Sequence, residues 1–129
     1  AVLLEADGRE YALPVSAVLD TVALPRGGAD VLPWRERELP LLDLGRAFGS
    51  RTERLRNGYV VVVEAGGRLL GLVVRATRGP LEIMVRGLDD LLQGLRGVSG
   101  SSVLGDGSVV LILDPQGLIG LRESLGEAA

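Results

Sequence analysis

The stretch Gly100-Ser101-Ser102-Val103-Leu104-Gly105-Asp106-Gly107-Ser108-Val109-Val110-Leu111-Ile112-Leu113-Asp114 decides the fold. Two apolar runs flank the Asp106-Gly107 step, a dipeptide that supplies positive φ at low steric cost and closes a hairpin. The second run, Val109 to Leu113, is apolar at every position. A strand with one face in water alternates polar and apolar residues, so this one needs cover on both faces. A barrel interior is expected on one side, and a second barrel or a partner on the other.

The rest of the chain repeats this grammar. Val2 to Ala6 and Arg9 to Leu13 read as a hairpin around Asp7-Gly8, and Pro14 ends the pairing because it lacks an N–H. Val15 to Leu19 suits a helical turn, and Asp20 to Leu24 a third strand. Pro25 to Asp30 reads as a loop. Val31 to Trp34 and Glu38 to Leu42 form a hairpin with Arg35-Glu36-Arg37 at the bend. Asp43 caps a short helix, Leu44 to Phe48, which Gly49 stops. Ser50 to Asn57 is polar and charged and reads as a linker. Tyr59 to Ala65 and Arg68 to Ala76 make a hairpin around Gly66-Gly67. A strand over Pro80 to Arg86, a helical turn over Leu88 to Leu92 and a bend over Gln93 to Ser99 follow. Asp114-Pro115 opens a last short helix, Gln116 to Leu121, with a frayed tail past Arg122.

The two halves match. Glu5 to Arg9 corresponds to Glu64 to Arg68, Leu13 and Val15 to Leu72 and Val74, and Leu41-Leu42-Asp43 to Ile112-Leu113-Asp114. Each half carries about five short strands and one helix start, the pattern of a small closed barrel. The fold class is therefore all-β: two five-stranded SH3-like β-barrels in tandem, with a short helix after each. Residues 1–57 are assigned to the first barrel and 58–129 to the second, with exchange of strands between them allowed.

Composition excludes several functions. The 129 residues hold no histidine and no cysteine, and all 14 basic residues are arginines. The commonest general base, thiolate metal sites and Schiff-base lysines are absent with them. Carboxylate-pair chemistry survives in principle, but no pair stands out. No catalytic, cofactor-binding or metal-binding residue is assigned. Gly105-Asp106-Gly107 is not a phosphate cradle, because a dinucleotide fingerprint wants glycine where Val110 stands. A net charge of −3 and scarce aromatics argue against a barrel that binds nucleic acid. No apolar run suffices for membrane insertion, and the lack of cysteine fits the cytoplasm. The start at Ala1 rather than Met suggests a piece of something longer. Arg46, Arg51, Arg54 and Arg56 read as a solvated connector.

The run from Gly97 to Asp114 closely resembles the C-terminal CheW-like regulatory domain of CheA chemotaxis histidine kinases, which has a similar G-x-x-G-[AS]-[ST]-[IV]-L-G-D-G hairpin. The opening Ala1 to Val18, the Leu39-Pro40-Leu41-Leu42-Asp43-Leu44 run and Leu81 to Leu88 are similar to that family too. The resemblance implies a binding module without chemistry of its own. It implies docking to the CheW adaptor, to the cytoplasmic tip of a chemoreceptor and to the rest of the kinase chain, with recruitment to membrane-associated receptor arrays. A stand-alone CheW adaptor is the alternative within the family. The segment Val18, Leu19, Asp20, Thr21 and Val22 matches the groove strand of the family, and Arg35 matches an arginine at the receptor-facing surface of the adaptor. With Trp34 these give the candidate docking residues Val18, Leu19, Asp20, Val22, Trp34 and Arg35. Asp7, Gly8, Gly66, Gly67, Asp106 and Gly107 are assigned to structural turns. The family usually has glycine after the arginine at position 35. Glu36 makes positive φ costly there, so this bend is expected to depart from the usual geometry.

Overall fold

The computed structural model describes residues 1–25, 31–48, 55, 57–80, 97–104 and 106–128, with side chains described as far as Ser124. The loop over 26–30, Gly49, most of the linker, the strand and helical turn expected between 81 and 92, and Gly105 lie outside these residues.

Among the described residues, ten strands form two five-stranded sheets. The strands are β1 (Val2–Ala6), β2 (Arg9–Leu13), β3 (Val18–Ala23), β4 (Val31–Trp34) and β5 (Arg37–Asp43) in the first half of the chain. The second half supplies β6 (Tyr59–Ala65), β7 (Arg68–Val74), β8 (Ala76–Arg78), β9 (Val98–Val103) and β10 (Val109–Leu113). A 3-10 turn, Val15–Ala17, precedes β3. Two helices, α1 (Leu44–Ala47) and α2 (Pro115–Ala128), follow β5 and β10. The architecture is all-β with SH3-like barrels.

Neither sheet belongs to one half of the chain. The first has the order β8-β1-β2-β10-β9, the second β3-β6-β7-β5-β4. Each sheet therefore draws strands from both sides of residue 57. The two orders correspond strand for strand under the internal repeat. Each keeps one hairpin of its own half and takes its remaining strands from the other. In both, the strand before the helix lies parallel to the second strand of the hairpin, β10 beside β2 and β5 beside β7.

This arrangement accounts for the apolar runs. Alternate residues of a strand face opposite sides, and here both sides are cores. On β10, Val110 and Ile112 join Leu3 and Ala12 inside the first barrel, while Leu113 turns to a large shared core. On β6, Val60 and Val62 face the interior of the second barrel with Leu39 and Val73, while Val61 and Val63 face the shared core. Leu4, Tyr11 and Leu13 from one sheet meet Leu42, Leu70 and Leu72 from the other there. The cover over β10 is incomplete, since Val109 at its start is 60% exposed.

The turns follow local chemistry with one exception. Asp7 and Gly8 lie at φ 53° and 76°, Gly66 and Gly67 at 59° and 79°. Gly107, at φ 88°, donates its N–H to the Leu104 carbonyl, and the Asp106 carboxylate accepts from the Ser108 N–H and hydroxyl. The exception is the bend after Trp34. Arg35 and Glu36 both lie at positive φ, 47° and 63°. The expected departure from a positive-φ turn does not occur: Trp34 pairs directly with Arg37 across a two-residue turn. The Arg35 guanidinium stacks 4.5 Å from the Trp34 ring centroid, a contact that offsets the steric cost of a non-glycine residue.

Three further expectations are corrected. The strand read as Arg68 to Ala76 ends at Val74, and the chain crosses to the other sheet through Arg75, whose N–H bonds the Glu5 carbonyl at 2.8 Å. The third strand starts at Val18, two residues early, because Val18 pairs with Val63. The last helix does not fray past Arg122 but runs to Ala128. Leu118 and Ile119 anchor it in the shared core, Arg122 Nε donates to the Leu41 carbonyl at 2.8 Å, and Glu123 pairs with Arg68. Asp43 caps α1 as expected, its carboxylate accepting from Gly45 N–H at 3.0 Å.

Candidate docking surface

The groove strand β3 is an edge of the second sheet, and β4 is the other edge. Val18 pairs with Val63 and Asp20 with Val62, so Leu19 is an extra residue in a bulge. From Asp20 onward the strand alternates. Asp20 and Val22 lie on the barrel-interior side with Val62 and Val60, while Thr21 and Ala23 share a side with Val61 and Tyr59. Leu19, the extra residue of the bulge, is exposed beside them.

The six residues singled out from the sequence therefore divide. Val22 and Trp34 pack on the second barrel's core and Val18 on the shared core; all three are part-buried. Asp20 joins the two sheet edges, accepting from Trp34 Nε1–H at 3.1 Å and from Thr21 N–H at 2.8 Å. These bonds hold its carboxyl below the ordinary carboxylate range, with the Arg35 charge adding to the effect. Leu19 and Arg35 point to solvent, Leu19 at 43% exposure.

Leu19 belongs to a larger surface. The side of β3 and β6 that carries Val61 and Val63 into the shared core continues outward through Thr21, Ala23 and Tyr59, all exposed, with the bulged Leu19 exposed beside them. Tyr59 is also 43% exposed. The face that binds one barrel to the other thus extends beyond its cover as an apolar rim. Isolated exposed apolar residues are ordinary, whereas this rim is a contiguous extension of a core face. Tyr59 was not singled out from the sequence, because its strand reads as buried throughout. Its place at the strand's start was the available signal.

A second exposed pair lies on the other sheet. Val103 and Val109 stand directly opposite each other on β9 and β10, at 50% and 60% exposure. Among the described residues, no three acidic side chains gather to hold a metal ion.

The two five-stranded sheets around one shared core define a tandem SH3-like barrel domain. The pattern of the CheW-like domain family matches residues 1–123, and the chain belongs to that family. It is a scaffold domain and not a catalytic one. It is 35% identical over 126 residues to the chemotaxis protein CheA of Salmonella typhimurium, covering 89% of this chain and 18% of that protein. The sensor histidine kinase CheAY of Helicobacter pylori is 29% identical over 133 residues, covering 97% of this chain and 17% of its own length. The chain thus spans about a fifth of the curated relatives it matches. The scaffolding protein TtCheW of Thermoanaerobacter tengcongensis shares the fold, with a TM-score of 0.72 at 18% identity over 88% of this chain and 86% of that one. Among the described residues no helix is long and apolar enough to cross a membrane.

Proposed function

We propose that the chain is the regulatory, scaffold-binding domain of a CheA-like chemotaxis histidine kinase. In this reading it docks the CheW adaptor and the helical tip of a chemoreceptor, and it couples receptor state to kinase activity in receptor arrays on the cytoplasmic side of the membrane. One observation carries the reading: the inter-barrel face continues uncovered through Thr21, Ala23 and Tyr59, with the bulged Leu19 exposed beside it. An apolar rim beside a two-barrel junction suits a helix laid in a groove by spaced apolar anchors. Arg35 stands at the far edge of the same sheet, where it can pair with an acidic residue of a partner. A contact this small has a Kd on the order of micromolar, and an array gains stability from many such contacts.

The stand-alone adaptor remains the second reading, supported by the fold shared with TtCheW over nearly its full length. The higher identity to kinases favours the first. The gene sequence upstream of Ala1 separates the two: an ATP-binding domain there means a kinase, an initiator Met next to it an adaptor.

The test is capture of the CheW adaptor and of a receptor-tip fragment from the same cell. Leu19→Arg is expected to abolish receptor-tip capture with the melting temperature unchanged. Val18→Arg is a poorer probe because Val18 packs on the shared core. Normal capture by a folded Leu19→Arg variant would refute the groove assignment.

A further inference from the structure

The pairing pattern carries a consequence for assembly. Of the eight strand pairings, β1–β2, β4–β5, β6–β7 and β9–β10 are neighbours in sequence. The other four, β1–β8, β2–β10, β3–β6 and β5–β7, each join a strand from residues 1–48 to a strand from residues 58–128. Within either half, then, the described strands pair only as isolated hairpins, which are marginal in water. Both sheets and the shared core exist only where a first half meets a second half. Bonds outside the ladders do the same work: Arg122 to the Leu41 carbonyl, Arg78 to Glu10 at 3.1 Å, and Leu24 N–H to the Gly58 carbonyl at 3.0 Å.

None of these contacts depends on the two halves belonging to one molecule. We infer that the chain has a second assembled state: a dimer with another copy of itself, in which the first half of each chain completes both sheets with the second half of the other. Every hairpin and cross-half ladder is retained, and the contacts at stake are those of the connection itself, where Leu55 packs on the second barrel's core and donates its N–H to the Asp43 carboxylate at 3.0 Å. The difference in free energy is confined to the connection between α1 and β6 and to the entropy of association. A covalent connection of this length acts as an effective concentration on the order of millimolar. The monomer therefore prevails in dilute solution, and the exchanged dimer grows in as the protein approaches that concentration or where arrays crowd copies together. Each rim in such a dimer combines Leu19, Thr21 and Ala23 of one chain with Tyr59 of the other, so the dimer carries two complete rims. The inference rests on strand pairing alone and stands or falls independently of what the rim binds.

The absence of cysteine from the sequence gives a clean test. Ala23 and Tyr59 stand directly opposite each other across β3 and β6, one in each half. Full-length Ala23→Cys and Tyr59→Cys chains are mixed, unfolded together, refolded at about 10 µM and about 1 mM, and then oxidised. Val103→Cys mixed with Val109→Cys is the control, since these residues also face each other but lie in the same half. The Ala23→Cys/Tyr59→Cys double variant, which closes within one chain, sets the yield the pair can reach. The expected result is disulfide-linked dimer from the first mixture at 1 mM, several-fold above the control and several-fold above the same mixture at 10 µM, with light scattering giving a folded two-chain mass. A yield no higher than the control, or only monomer at 1 mM, would overturn the inference.

Discussion

Trp34 on β4 donates its indole N–H to the Asp20 carboxylate on β3, 3.1 Å away, and so joins the two edge strands of one five-stranded sheet. Open edges invite pairing with other chains. Here the seam is closed by one hydrogen bond to a charged acceptor, with Arg35 stacked on the same indole. The seam lies beside Leu19, so the side chains that close the barrel also position the rim.

Asp20 makes the seam acid-sensitive. Its folded-state pKa lies below the ordinary 3.8, chiefly through the Trp34 bond, so the folded chain binds fewer protons near pH 4 than the unfolded chain. The stabilisation is complete above the unfolded pKa and is lost as pH falls through the folded one. Trp34 is the only tryptophan, so its fluorescence reports on the seam directly. A change in its emission is expected below about pH 4. In Asp20→Asn, whose amide oxygen still accepts from the indole, that change disappears.

Tyr11 has the opposite character. Its ring is fully buried 5.8 Å from Phe48, and among the described residues its hydroxyl makes no hydrogen bond of good geometry, the Arg9 guanidinium being its polar neighbour. Burial pushes its pKa up, with the nearby Arg9 charge opposing. A buried hydroxyl without a partner costs about 1–3 kcal/mol. Tyr11→Phe should therefore leave the chain as stable as before or more so in urea unfolding; a loss beyond about 1 kcal/mol would mean the hydroxyl has a partner.

Gly71 lies mid-strand on β7 facing the second barrel's interior. A β-carbon there would stand 2.7 Å from Leu41, 2.8 Å from Val60 and 2.9 Å from Leu39. Gly71→Val overpacks this core, with an expected loss of about 1–3 kcal/mol and a lower melting temperature. Gly107→Val meets no neighbour within 4 Å and bears only the cost of its φ of 88°, so it should lose less.

What could be read from the sequence was local. Asp7-Gly8 and Gly66-Gly67 announce their hairpins because the turn chemistry resides in those two residues. Val109 to Leu113 announces cover on two sides because alternation is lost. The Arg35-Glu36 turn was misread because its compensation, stacking on Trp34, is a contact rather than a propensity. The length of α2 was underestimated because Gly117 and Gly120 weaken it locally, while Leu118, Ile119 and the Arg122 bond hold it from outside. Which half supplies β8 to the first sheet leaves no local mark, since equivalent strands of a repeat carry the same pattern. The rim was half legible: Leu19 through the family resemblance, Tyr59 only once its strand's first residue is seen to outrun the core.

The central claim is that the uncovered continuation of the inter-barrel face is the docking surface. Titrating the isotopically labelled chain with the receptor's helical tip, and following backbone amide shifts by NMR, tests it most directly. The largest shifts should fall on Leu19, Thr21, Ala23 and Tyr59, and Leu19→Arg should weaken the fitted Kd at least tenfold, about 1.4 kcal/mol. Shifts centred on Val103 and Val109, with the rim silent, would contradict it.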